Sequence, residues 1–154
     1  MTHLSRNLAF AFSAALGFAA VAPTVARAQD ASAVIEYRQS IMQAFRLHSG
    51  GVAAATNGTA PIGHAEHHAV AFERMTQALA NAFPEGSMGE GSRALPAIWQ
   101  NRDDFMNKVT AIQTAAARLV TASRTGDVEQ INSAAAAVRQ TCGGCHNTYR
   151  GPAN

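Results

Sequence analysis

Apolar residues recur along most of this chain at intervals of three and four, and the stretches that keep this rhythm are parted by clusters of Gly, Pro, Asn and Ser. The rhythm predicts four amphipathic helices. The first covers about residues 33–48, with Val34, Ile41 and Phe45 on one stripe, and Gly50 and Gly51 follow it. Thr56-Asn57-Gly58-Thr59-Ala60-Pro61 reads as a loop. The second helix covers about residues 63–83, with Met75, Leu79 and Phe83 (or Ala82) in step, and Pro84 ends it. The third starts behind Asn101, a capping residue, with Asp103 and Asp104 well placed against the helix dipole. Its stripe is Phe105, Val109, Ile112, Ala116 and Leu119. Gly126 divides it from the fourth, which Asp127 caps and which carries Val128, Ile131, Ala135, Val138, Cys142 and Cys145 on its inward stripe.

Four such helices of similar length, joined mostly by short loops, predict an all-α fold, an antiparallel four-helix bundle. Abundant Ala, few aromatics and the lack of alternating Val and Ile runs agree with it. The connection from Glu85 to Gln100 is the exception. It is rich in Gly and Ser, holds Pro96 and Trp99, and is long enough to serve as a crossover between helices.

The N-terminus follows another pattern. His3 and Arg6 precede an apolar run from Leu8 to Val21, and Ala26-Arg27-Ala28 places small residues where a signal peptidase reads. Residues 1–28 therefore read as a secretory signal peptide, removed to leave residues 29–154 as a single domain in the periplasm. The run is too short to span a bilayer, which takes about 20 residues. Removal also changes the charge. The whole chain has 12 Lys and Arg against 10 Asp and Glu, but Arg6 and Arg27 leave with the signal, so the mature chain balances at 10 of each. No basic stripe remains for a nucleic acid.

The fourth helix carries the chemistry. Cys142-Gly143-Gly144-Cys145-His146 is a Cys-x-x-Cys-His run, the mark of covalent haem attachment. On a helix, Cys142 and Cys145 share a face and can add to the two vinyl groups of one haem. His146 lies four residues from Cys142, so it can bring a ring nitrogen under the iron. Gly143 and Gly144 leave room for the macrocycle, at a cost of about 1 kcal/mol each in helix propensity relative to Ala. Competing readings of the cysteines are a disulfide or a redox dithiol, and a zinc site. The redox pair wants a preceding strand, and zinc wants about four ligands; the sequence offers neither.

After that run comes Asn147-Thr148-Tyr149-Arg150, and the chain resembles the cytochromes c-prime and their low-spin relatives, the cytochromes c-556. The first helix, with Tyr37-Arg38-Gln39-Ser40-Ile41-Met42, is similar to that family's opening helix. So are the loop Phe83-Pro84-Glu85-Gly86-Ser87 and the later Leu95-Pro96-Ala97-Ile98-Trp99. The resemblance covers the whole mature chain. It implies a four-helix bundle with one haem c near one end, His146 as proximal iron ligand, and a distal residue from the first helix where this chain has Met42. Arg38, one turn earlier, is expected to reach a haem propionate, and Arg150 to help hold the haem edge.

What Met42 does decides the functional reading. A thioether suits haem iron, and a Met/His pair raises the potential and favours electron transfer. The leading expectation is accordingly a monohaem, low-spin electron-transfer protein with Met42 as sixth ligand, docking with redox proteins in the periplasm and catalysing nothing. The alternative is five-coordinate iron that binds nitric oxide or carbon monoxide, with Met42 and Phe45 as steric gates. A peroxidase would want a distal histidine that the first helix does not offer. Met75, Met88 and Met106 are weaker candidates for the iron. His64, His67 and His68 around Glu66 read as a solvated helix face rather than a metal site, and His48 as a helix-end or exposed residue. The resemblance also allows a homodimer through the first helices.

Overall fold

A computed structural model describes residues 31–152, so the expected signal peptide lies outside the described residues. Its helices are α1 (Ala31–Thr56), α2 (His64–Thr76), a 3-10 segment (Gln77–Asn81), the short α3 (Ala97–Gln100), α4 (Arg102–Ser123) and α5 (Val128–Tyr149). Helices α1, α2, α4 and α5 close a ring in which α1 packs on α2, α2 on α4, α4 on α5 and α5 back on α1. The antiparallel four-helix bundle is the fold. Among the described residues, no helix is long and apolar enough to cross a membrane.

Helix α1 runs well past the glycines expected to end it. Its inward positions alternate in steps of four and three, through Val34, Arg38, Ile41, Phe45, His48, Val52 and Ala55, and Val52 and Ala55 are buried. Burial of those two side chains beyond Gly50 and Gly51 offsets the poor helix propensity of the pair. Gly51 has a further reason to be glycine, because a methyl group there would overlap the ring of His68 on α2.

The second helix is shorter than its pattern implied. It ends at Thr76 and tightens into the 3-10 turns of Gln77–Asn81. Side chains of α4 take up the carbonyls freed there: Arg102 donates to the carbonyls of Ala80 (3.0 Å) and Phe83 (3.3 Å). Those bonds also place the start of α4 beside the end of α2. The connection therefore returns to the end of the bundle it left and is not a crossover.

Two helix starts differ. Asp127 caps α5 as expected, its Oδ1 accepting from the backbone N–H groups of Glu129 (2.9 Å) and Gln130 (3.0 Å). Asn101 stands at the N-cap of α4, but its side chain makes no capping bond; its carbonyl accepts from Phe105 N–H instead.

The connection lies across the end of α5. Leu95 N–H donates to the Tyr149 carbonyl (3.0 Å) and Gly151 N–H to the Arg93 carbonyl (2.8 Å), while Trp99 Nε1–H donates to the Pro84 carbonyl (3.0 Å). The expected haem helix thus ends under a fixed strap.

Candidate haem-binding site

Cys142, Cys145 and His146 all lie on α5 and open onto one cavity, of ≈ 550 Å³, whose lining is mostly apolar. Both cysteines are free and half-buried. Burial pushes both thiols above their ordinary range. A redox dithiol is built the other way, with a thiolate stabilised by its surroundings. Here the pair stays protonated, side by side on one face. His146 is half-buried too, and burial, then Arg150 and Arg93, hold its imidazolium below the ordinary value. The neutral ring is the form with a lone pair for iron. Two thiols and a neutral imidazole on one wall of an apolar cavity fit a covalently held haem.

A Cβ at Gly143 or Gly144 would meet no protein atom within 4 Å, so no packed neighbour from the protein itself requires glycine there.

Across the cavity stand Met42 and Phe45 of α1, with Phe72 of α2 and Leu79 of the 3-10 segment. Phe45 and Phe72 are buried and packed together, ring centroids 4.7 Å apart. Phe83, Phe105 and Tyr149 form a chain of edge-on contacts, with centroids 5.0 and 5.4 Å apart. Tyr149 O–H donates to Asp104 Oδ2 at 2.6 Å, and that bond, with burial and the Asp104 charge, pushes the phenol up to about 12. It pins the end of α5 to the first turn of α4. Sequence reasoning missed this bond; its signal is that Tyr149 follows Cys145 by four residues and so continues the inward stripe.

Arg38 is buried, 5% exposed, with its guanidinium over the Phe83 ring. Nη1 donates to Ser87 Oγ (3.0 Å) and the Ala82 carbonyl (3.4 Å), and Nη2 to the Ser87 carbonyl and Ser92 Oγ (both 2.9 Å). All four Nη hydrogens are taken, three by Ser87 and Ser92 of the connection and one by Ala82 at the end of the 3-10 segment. Arg38 therefore clasps α1 to that strap. Arg150 is exposed on the cavity rim, where its residue pairs with Ala94 of the strap. Met75 and Met106 pack against the core and Met88 is exposed; none of the three lines the cavity.

The histidines of α2 do not gather as a metal site: among the described residues no group of three or more His, Cys, Asp or Glu is arranged to hold a metal ion. They are not simply a solvated face either. His68 Nδ1 lies 3.1 Å from Nδ1 of His48 on α1.

The sequence profile of the family described as cytochrome C' matches residues 33–150. The chain is 34% identical to the cytochrome c' of Pararhodospirillum photometricum over 120 residues, 77% of this chain and 96% of that one. Its fold is similar to cytochrome c prime from Shewanella frigidimarina, with a TM-score of 0.74 and 29% identity over 80% of this chain and 98% of that one. It is also similar to the nitric oxide complex of a variant cytochrome c prime from Alcaligenes xylosoxidans, with a TM-score of 0.73 and 25% identity over 80% and 98% of the two chains.

These likenesses correct the leading expectation drawn from the sequence. A low-spin His/Met electron carrier has both axial positions of its iron filled. The profile, the relative and the solved neighbours are those of cytochromes c', one of them holding nitric oxide, and they favour iron with a free face. The error lay in reading a methionine on the distal wall as a ligand because its sulfur can bond iron. The cofactor itself stands: one haem c, covalently attached.

Proposed function

Because the chain belongs to the cytochrome c' family, we propose that it is an exported haem protein whose five-coordinate iron binds a small diatomic gas, nitric oxide or carbon monoxide. The observation that carries this reading is the lining of the cavity. Facing Cys142, Cys145 and His146 are Met42, Phe45, Phe72 and Leu79, and no carboxylate and no histidine other than His146 belongs to the lining. That stretch of wall is apolar and offers the iron no second imidazole and no carboxylate, while the cationic residues of the lining include Arg46, Arg93, Lys108 and Arg150; this supports a binder of small neutral gases.

Cys142 and Cys145 would anchor the haem, and His146 would take its iron from the α5 side. A haem held there would supply an iron that takes up the gas. Met42 and Phe45 would narrow the approach to it without bonding to it. Arg38 holds the strap in place, and Arg150, exposed on the rim, is placed to meet a propionate. Removal of residues 1–28 would deliver residues 29–154 to the periplasm as one domain. A homodimer through α1 is supported by its outward Tyr37 and Leu47, which are 55% and 56% exposed.

The test is the visible and near-infrared spectrum of the purified protein in both oxidation states, with and without carbon monoxide. A high-spin spectrum, unchanged in Met42→Ala, and carbon monoxide binding to the reduced protein without loss of a ligand are expected. Met42→Ala should speed that binding severalfold. A low-spin spectrum with a methionine–iron charge-transfer band that disappears in Met42→Ala would sink the proposal.

A further inference from the structure

One turn beyond the Phe45–Phe72 layer, α1 and α2 meet through two imidazoles. The Nδ1 atoms of His48 and His68 are 3.1 Å apart, and the ring centroids 5.4 Å apart with their planes inclined by 49°. The centroids are farther apart than the nitrogens by about what two ring radii supply, so the nitrogens point at each other head-on. Such a contact is a hydrogen bond in which one Nδ1 carries a proton and the other offers its lone pair. Two imidazolium rings cannot make it, since each then presents an N–H. Both rings are half-buried between the helices, and Gly51 fits closely over His68. The doubly charged pair therefore has to move apart.

We propose that His48 and His68 form a proton-operated latch between α1 and α2, closed while the two Nδ1 atoms share one proton and opened when both rings are charged. Opening it loosens the wall of the cavity beside it. Phe45 precedes His48 by three residues on α1, Phe72 follows His68 by four on α2, and both phenylalanines line the cavity. The effect on gas entry rests on the function proposed above; the latch does not.

The surroundings favour opening as the pH falls. Burial, then the charges of His48, His64 and His67, hold the His68 imidazolium below its ordinary value. Glu66 on α2 is turned to Arg124 of α4, with Arg124 Nε at 2.9 Å, and Arg46 on α1 donates to Gln43. The 3-10 segment brings no charged residue. Because the His68 value is lowered on folding, the unfolded chain binds more protons below about pH 6.5. The latch's contribution to stability is thus present above that pH and lost as the pH falls through the folded value.

The experiment is an NMR titration of the haem-loaded protein from about pH 8 to about pH 5, with amide hydrogen exchange and carbon monoxide association followed on the same samples. The His68 ring is expected to take its second proton below the ordinary imidazole range, with the His48 signals shifting in the same step. Exchange across residues 45–52 and 65–72 should accelerate severalfold in step with it. His48→Gln leaves His68 a polar neighbour but a single titrating ring; His68 should then titrate in one uncoupled step, still lowered by burial, and the acid acceleration should disappear. Gly51→Ala, which displaces the His68 ring, should uncouple the two titrations. Independent titration of both rings in the unaltered protein, or exchange indifferent to the second proton, overturns the latch. An opening latch with carbon monoxide association unchanged overturns its link to the cavity wall. Failure of carbon monoxide to bind at all counts against the proposed function, and the exchange measurement still decides the latch.

Discussion

Helices α5 and α1 wall the same cavity and carry unlike kinds of information. On α5, Cys142, Cys145 and His146 are set by spacing alone, because any helix brings residues three and four apart to one face. Their chemistry is bonding chemistry, and a local pattern is enough to announce it. On α1, Met42 and Phe45 are ordinary core residues whose role depends on what stands across the cavity. Exclusion of water or of a sixth ligand is a collective property of a wall, shared here with Phe72 and Leu79 from other elements. The difference teaches that an attachment site can be read from one segment, whereas the character of the open face cannot.

The contrast can be broken most decisively on α5. The double variant Cys142→Ser, Cys145→Ser should retain no haem after denaturing acid extraction, while either single variant keeps one thioether link. Covalent haem surviving in the double variant would remove α5 from its role. On the opposite wall the expected effect is energetic. Phe72 is 1% exposed and packs on Phe45, so Phe72→Ala should cost about 3–5 kcal/mol in urea unfolding and leave haem attachment intact. Loss of attachment with Phe72 would mean that the two walls are not separable.

The smallest effects sharpen the same distinction between local and collective information at the helix starts. Asp127→Ala should lower the unfolding midpoint measurably, because the side chain accepts two backbone N–H groups of α5. Hydrogen bonds from Gln130 foremost, with Glu129, hold that carboxylate below its ordinary range. Its contribution is therefore present above about pH 3.9 and lost as the pH falls through the lower folded value. Asn101→Ala should change the midpoint less than Asp127→Ala, since Asn101 makes no capping bond with its side chain. Equal effects would show that residue type at the cap, and not the bond, sets the stability.

Much of the fold was legible because helical period is a one-dimensional signal. Most of the four stripes follow from it, although Val128, expected on the inward stripe of the fourth helix, is 40% exposed at its first position. Where it misled, a distant residue had decided the outcome. Gly50 and Gly51 read as a helix end, but α1 continues because Val52 and Ala55 bury themselves beyond them and His68 presses on Gly51. The second helix looked continuous to Phe83, yet Arg102 from α4 captures its last carbonyls and the 3-10 turns follow. Arg38 stood one turn from Met42 and looked free for a propionate; Ser87 and Ser92, about fifty residues away, take its guanidinium.

By itself the sequence determined an all-α bundle and a helix bearing two thiols and an imidazole on one face, because both follow from spacing along a single helix. Only the tertiary structure decided what those groups face. Met42 and Phe45 joined an apolar wall and His48 met His68, because such contacts depend on how separate helices pack against one another. That packing is set by shape and burial across the whole core, and no segment of the chain states it alone.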